Sequence, residues 1–285
     1  MKKIAFISDY FISDGNGGAE LTTDAIMRFG AERGFEISAM HCARLDKKTL
    51  VKNKDTHHFI VCNFFQLLDD LKLYMIKNCS YSIVEYDYKI CKHRSFELHQ
   101  LIEGEPCDCE TQMHGKINSA FYGYAEKVWF MSEKQMNMIL EKVSALKIEN
   151  CEVLNSVFNP GDLRFMFSIK DNEKNDKYLI LDSVSPVKPS TAAVAYAEQN
   201  NLEYELFSNL EYHELLIKLS TSKGLIFLPL ASDTCPRLVM EAKMLGCELI
   251  LNEHVQHKDE PWFKTAMSCY KHMDNRDNAF WSYYE

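Results

Sequence analysis

Two carboxylates eight residues apart, Asp233 and Glu241, stand in the stretch SDTCPRLVMEAKMLGCELI (232–250). Pro236 suits the first turn of a helix, where its missing N–H costs nothing. Gly246 supplies a stop, and CELILN resumes as a strand. Asp233 therefore lies in the loop before the helix and Glu241 more than a turn inside it. At 1.5 Å per helical residue the two acids are separated by roughly 8–12 Å along the chain. That is the reach of an extended small ligand with polar groups at both ends. In the first half, Gly15, Gly17 and Gly18 lie in SDYFISDGNGGAE, between a strand and a helix. Backbone N–H groups at such a turn can approach an anion at the positive end of the helix. The pattern is neither G-x-G-x-x-G nor a P-loop, and tight turning explains it equally well. Glu20, just inside that helix, is either a complement to its dipole or a site carboxylate. YSIVEYDYKICKHR (81–94) ends a strand with Glu85 and Asp87, and Lys89, Lys92 and Arg94 follow at once. Acids there are either solvated or placed to take a proton from a hydroxyl.

These residues need a scaffold that brings strand ends together, and strand and helix patterns alternate nearly throughout. KKIAFIS, FEISAM, HHFIVC, YSIVEY, KVWFM and CEVLN read as strands of one parallel-sheet α/β unit. SEKQ (132–135) has the Ser-x-x-Gln of a capping box. From 159 to 177, beginning NPGDLRFMFSIK, hydrophobic periodicity lapses and Pro, Gly and charges collect, which reads as a linker. Alternation restarts with strand YLILDS, helix PSTAAVAYAEQNN, strand LEYELF, helix YHELLIKLS, strand GLIFLPL and strand CELILN. The expected organisation is a first domain over 1–158, a second over 159–260, and a helical tail over 261–285 that packs back on the first. Two successive parallel-sheet units place ligand sites at the carboxyl ends of their strands, around a cleft.

The chain has 285 residues, 46% apolar and 26% charged, with a net charge of −9. It can bury a real core in each of two domains. No apolar run approaches a membrane span, and MKKIAFISDYF has too short an apolar core for a signal peptide. Ten cysteines scattered from Cys42 to Cys269 are then expected as reduced thiols in a cytoplasm. Cys107 and Cys109, near His93, His99 and His114, offer sulfur and imidazole together. A C-x-C with scattered histidines lacks the paired spacing of zinc sites, so neither metal nor cofactor is expected. Net negative charge disfavours tight binding to polyanions. The basic stretches RLDKKTLVKNK (44–54) and KICKHR (89–94) are solvated loops or contacts for a phosphate-bearing acceptor.

GGAE after the first strand, together with LPLASDTCPRLVMEAKMLG, resembles glycosyltransferases of the GT-B fold, closest to the family-four-type enzymes that use nucleotide sugars. AEKVWFMSEKQ is similar to that family's strand, Ser and capped helix. VLNSVFNPGDLRF is similar to its linker, with Asn-Ser-Val-Phe in place of Asn-Gly-Val-Asp. The resemblance implies two Rossmann-like domains, the first for the acceptor and the second for the donor. It implies that Asp233, replacing the first Glu of a Glu-x7-Glu segment, meets the transferred sugar, and that Glu241 grips the ribose. A carboxylate accepts two hydroxyl hydrogens in a fixed fork, which suits vicinal diols. Arg237 and Lys188 then neutralise the diphosphate, and Gly17 and Gly18 belong to the donor site. The family's clamp Arg is absent: DSVSPVKPS keeps Lys188 but has Ser183 where the Arg would fall and Pro189 for Gly.

The activity implied is transfer of a sugar from a nucleoside diphosphate sugar, a UDP-sugar by preference, to an acceptor hydroxyl. Asp87 is the candidate base, with Glu20 opposite it. If transfer retains configuration, the donor's own phosphate can take the proton instead. The acceptor is either a hydroxymethylated base in DNA, as in phage DNA-modifying glycosyltransferases, or a surface glycan or lipid-linked sugar. For DNA, Lys89, Lys92 and Arg94 would hold phosphates. A nucleotide-sugar epimerase and a non-catalytic nucleotide-sugar binder are the rival readings.

Overall fold

A computed structural model describes residues 2–15 and 17–285. Met1, and Asn16 in the glycine-rich loop, lie outside the described residues. The chain divides into two compact units, one of residues 1–157 with 277–285, the other of residues 158–276.

The first unit runs β1 (Lys3–Ser8), α1 (Gly18–Glu32), β2 (Glu36–His41), α2 (Lys47–Asn53), β3 (His57–Val61), α3 (Asp69–Asn78), β4 (Tyr81–Glu85), α4 (Phe96–Glu103), α5 (Met113–Gly123), β5 (Val128–Phe130), α6 (Glu133–Lys142) and β6 (Cys151–Val153). Its six strands form one parallel sheet in the order β2-β1-β3-β4-β5-β6. The central strands β1, β3 and β4 are short apolar runs covered on both faces, as parallel sheets require. Ile4 to Ile7, Phe59 to Val61, and Ile83 with Val84 are all buried. Strand order reverses at β1, so the loops after β1 and β3 diverge at the carboxyl end and leave room for a ligand.

The second unit runs α7 (Pro160–Ile169), β7 (Tyr178–Leu181), α8 (Thr191–Gln199), β8 (Tyr204–Phe207), α9 (Tyr212–Thr221), β9 (Gly224–Phe227), α10 (Arg237–Met244), β10 (Glu248–Leu251) and α11 (Ala266–Met273). Its parallel sheet has the order β10-β9-β7-β8, with its reversal at β7. All ten strands read from the sequence are present, and the architecture is the α/β one expected.

Two segments differ from the sequence reading. The stretch from Asn159 is not a linker but helix α7. Asn159 caps it by accepting from the Gly161 N–H (2.8 Å), and Pro160 takes the first helical position. Leu163 and Met166 then point into the second unit's core, with Phe165 and Ile169 packed beside them. The polar and Pro/Gly content that resembled a linker is a helix start. Residues 261–276 likewise belong to the second unit, where Phe263, Cys269 and Met273 are core residues.

Residues 277–285 lie with the first unit, closing α12 (Arg276–Trp281). Trp281 is fully buried and donates its indole N–H to Ile26 O (3.0 Å). It occupies space that only a glycine leaves on α1, since a Cβ on Gly30 would lie 2.3 Å from the indole ring. Arg33 ties the same segment down through Asp277 at 2.7 Å. Trp281→Ala should cost about 3–5 kcal/mol in denaturant unfolding, and Gly30→Ala about 1–3 kcal/mol by overpacking. Unchanged midpoints for both would contradict this packing.

Candidate functional site

In the first unit the residues after β1, β3 and β4 meet at the carboxyl end of the sheet. Glu85 ends β4, and its side chain is fully buried. Lys89, four residues on, returns its ammonium between two carboxylates, donating to Glu85 Oε1 (2.9 Å) and Asp87 Oδ1 (2.9 Å). The Lys89 side chain is only 1% exposed. Tyr122 on α5 donates its hydroxyl to Glu85 Oε2. Arg94 takes the other oxygen of Asp87 through Nε (2.7 Å) and reaches Asn63 Oδ1 (3.2 Å) after β3. Gln135 of α6 holds the backbone beneath, donating to Glu85 O (3.0 Å) and Asp87 O (2.8 Å). Asp9, after β1, accepts from the Phe65 and Gln66 N–H groups (2.8 and 2.9 Å) and so fixes the β3 loop beside it.

The charges follow from this packing. Burial pushes the Glu85 carboxyl above its usual range, against the pull of Lys89. Burial acts on Asp87 in the same sense, but Lys89 and Arg94 together outweigh it and hold Asp87 below the ordinary carboxylate value. The sequence reading of Asp87 as a base thus meets an acid with both oxygens in ion pairs. Lys89 is corrected from a phosphate contact to an internal counter-ion, because its ammonium is buried and bonded to two acids. Lys92 is exposed and pairs with Glu103 (2.7 Å). Arg94 keeps an exposed edge and lies over the ring of Phe65, 5.7 Å from its centre.

Gly17 and Gly18 start α1 without a capping side chain. Glu20 folds back over them, close enough that a Cβ on Gly17 would lie 2.3 Å from its carboxylate. Burial raises the Glu20 pKa, opposed by its backbone N–H and by nearby Arg94. Glu20 therefore sits at the positive helix end while facing the Arg94 cluster.

In the second unit Lys188, after β7, and Asp233, after β9, come together across 45 residues of sequence, with Lys188 Nζ 3.2 Å from Asp233 Oδ2. Backbone bonds hold the two loops in place: Leu230 N to Val187 O (2.8 Å) and Asp233 N to His254 O (2.9 Å). Helix α10 begins immediately after Pro236, which has no side-chain group to cap it. Arg237 does not face outward. Its side chain is 5% exposed, bonded through Nε to Glu241 Oε1 (3.0 Å) and through a terminal nitrogen to the Tyr212 hydroxyl (3.2 Å). Its guanidinium lies 3.7 Å from the centre of the Phe158 ring. The sequence reading that set Arg237 against a diphosphate is corrected accordingly: it is the buried i,i+4 partner of Glu241. Burial raises Glu241, while Arg237 and the Tyr212 hydroxyl, which donates at 2.8 Å, stabilise its charged form.

No family model matches the sequence, and no curated protein matches it. Solved structures do, over nearly the whole chain. AviGT4, a glycosyltransferase involved in avilamycin A biosynthesis, aligns with a TM-score of 0.56 at 10% identity, covering 99% of this chain and 93% of that one. Alr3699/HepE of Anabaena in complex with UDP-glucose aligns with a TM-score of 0.53 at 10% identity, covering 98% and 96%. An alpha-glucosyltransferase in complex with UDP and a 13-mer DNA aligns with a TM-score of 0.50 at 9% identity, covering 99% and 92%. The fold is GT-B.

On this GT-B scaffold the residues absent from the sequence reading are those that work through others. Tyr122 and Asn63 hold Glu85 and Arg94, Asp9 fixes the β3 loop beside them, and Tyr212 positions Glu241. Only Asp9 carried a local signal, as an acid directly after a buried strand. The segment after β4 also holds Cys91, which the sequence reading passed over. Among the described residues no helix is long and apolar enough to cross a membrane.

Asp87→Asn removes one of the two charges that compensate Lys89, and breaking a buried pair this way costs about 3–5 kcal/mol. Lys92→Ala breaks a solvated pair and should leave the unfolding midpoint unchanged. Urea titrations of both variants check this. A harmless Asp87→Asn would contradict the buried network.

Proposed function

We propose that the protein transfers a sugar from a UDP-sugar to an acceptor hydroxyl, with the donor held on the second unit and the acceptor on the first. The observation that carries the donor assignment is the Lys188–Asp233 pair beside the start of α10. Donor binding would turn the Lys188 ammonium from Asp233 to the diphosphate, whose other oxygens meet the helix-start amides. Asp233 is then released to accept hydrogen bonds from the sugar hydroxyls. Glu241, held in place by Arg237 and Tyr212, accepts from the ribose through Oε2. The bond from the anomeric carbon to the diphosphate breaks as the bond to the acceptor oxygen forms. Charge grows on the leaving phosphate, where Lys188 is aimed.

On the first unit we assign Glu20, rather than Asp87, as the carboxylate that meets the acceptor hydroxyl. Its raised pKa makes it the better proton acceptor, and among the described residues it is in no ion pair. Asp87 holds Arg94 and Lys89 in position. For the acceptor we favour a hydroxymethylated base in DNA over a surface glycan or lipid-linked sugar. Phe65 is 53% exposed beside Asp9, and Tyr10 next to it is 49% exposed. Aromatic faces at a strand end suit an extruded base, and Arg94 and Lys92 suit its phosphates. A GT-B neighbour in complex with UDP and DNA supports the same reading. A phage setting and a cytoplasmic location accord with that acceptor.

The deciding experiment incubates the protein with UDP-glucose and other nucleotide sugars. The acceptors are duplex DNA with and without hydroxymethylated bases and a glycan panel, with products read by mass spectrometry. A hexose on the modified base, lost at high salt, is the expected outcome. A hexose on glycans alone contradicts the acceptor assignment. An epimerised donor, or bound nucleotide without product, contradicts transfer. Lys188→Ala should lower kcat by about 10²–10³-fold with a smaller change in donor affinity. Glu20→Gln should lower kcat by roughly 10²–10⁴-fold.

A further inference from the structure

Between the Asp87 network and α5 the chain makes a turn that the transfer reaction does not use. Cys91 follows Lys89, His99 lies on α4, and Cys107 and Cys109 flank a short turn before α5. All four are buried, and their ligand atoms lie within 4.8 Å of one another. His99 Nδ1 is 3.5 Å from Cys91 Sγ and 3.6 Å from Cys109 Sγ. A tetrahedral zinc with Zn–S bonds of about 2.3 Å and Zn–N of about 2.0–2.1 Å gives S···N edges of about 3.6 Å. The two S···N separations match those edges. The alternatives fit less well. Bonded sulfurs would stand about 2.05 Å apart, and the cysteines here are all free thiols. As apolar packing the group is poor, being three thiols with only Phe96 packed beside them.

We propose that Cys91, His99, Cys107 and Cys109 bind one zinc-class divalent cation in a closed Cys3His site. With four protein ligands the ion has no open position and serves structure rather than chemistry. The surroundings are built for it. The His93 N–H points at Cys91 Sγ (3.4 Å), the kind of backbone donor that stabilises a bound thiolate. Gly115 lets α5 close on the turn, since a Cβ there would lie 1.8 Å from Cys109 O. Lys142 pins the turn through Cys107 O (3.2 Å) and Glu110 (2.7 Å). The Cys91 thiol donates to Ser95 O (3.3 Å), and metal binding would release the thiol protons to solvent. His93 and His114, grouped with Cys107 and Cys109 in the sequence reading, are not ligands. Cys91, which that reading omitted, is. Such a site departs from the sequence expectation of no metal.

The ion would join the residue two positions after Lys89 to α4 and to the turn before α5. It would thereby fix the segment that carries Asp87 and Arg94. The test measures metal in tag-free protein purified without chelator. About one zinc ion per chain is expected by mass spectrometry. Refolding with Co²⁺ should give the visible bands of tetrahedral cobalt and a sulfur-to-cobalt charge-transfer band. Cys109→Ser should lose both. His99→Cys should keep stoichiometric metal with a cobalt spectrum shifted toward four-sulfur ligation, a rescue that a merely structural histidine would not give. Folded, reduced wild-type protein with no zinc and no cobalt spectrum overturns the proposal. So does equal zinc content in a folded Cys91→Ser/Cys107→Ser variant. If these variants do not fold, the wild-type stoichiometry and cobalt spectrum decide alone.

Discussion

A charge buried as deeply as the Lys89 ammonium persists only where carboxylates replace the water it has lost. That requirement organises the carboxyl end of the first sheet. Glu85 and Asp87 are bridged by the ammonium they share, Arg94 takes the second oxygen of Asp87, Tyr122 takes the second oxygen of Glu85, and Gln135 fixes the backbone around them. The second unit meets the same constraint with Arg237, Glu241 and Tyr212. In both, residues whose types suggest ligand contacts are drawn into internal ion pairs, beyond a strand end in the first unit and at a helix start in the second. On the proposed reading the groups that would meet a substrate are Lys188, Asp233 and the second oxygen of Glu241 in one unit, and Glu20, Lys92 and the outer edge of Arg94 in the other.

The two sheets share a topology. Each reverses its strand order at its own first strand, β1 or β7, so the loops that follow diverge and leave backbone amides and side chains unopposed by a neighbouring connection. Asp9 and Asn63 flank the first reversal, and Lys188 and Asp233 the second. The family resemblance rested on spacing along the chain. These placements give a physical reason for it, since both segments open at a point where a parallel sheet can admit a ligand.

How much was legible in the sequence depended on whether the signal was local. The strands were, because short apolar runs bounded by charges have few other uses in an alternating chain. Helix α7 was misread because a capping Asn and an N-terminal Pro have the composition of a linker. The Leu163–Met166 spacing of three, one helical face, was the contrary sign. Arg237 was misplaced although its spacing to Glu241, four residues on a helix, marks a same-face pair. That both would be buried needed α9 and Phe158, far away in sequence. Lys89 was read as solvent-facing for the same reason: nothing beside it in the chain reveals the ring of Phe64 packed against its ammonium. Cys91 escaped because its neighbours Cys107 and Cys109 come beside it only after the chain returns beyond α4.

The central claim is that a nucleotide diphosphate is held on the second unit by the loops after β7 and β9 and by the start of α10. Hydrogen exchange followed by mass spectrometry, with and without UDP, tests it without reference to acceptor or reaction. The account predicts slower exchange on UDP addition in the peptides covering residues 183–190 and 230–241, abolished in Lys188→Ala and retained in Lys92→Ala. Protection confined to the first unit, or UDP protection undiminished in Lys188→Ala, would contradict it.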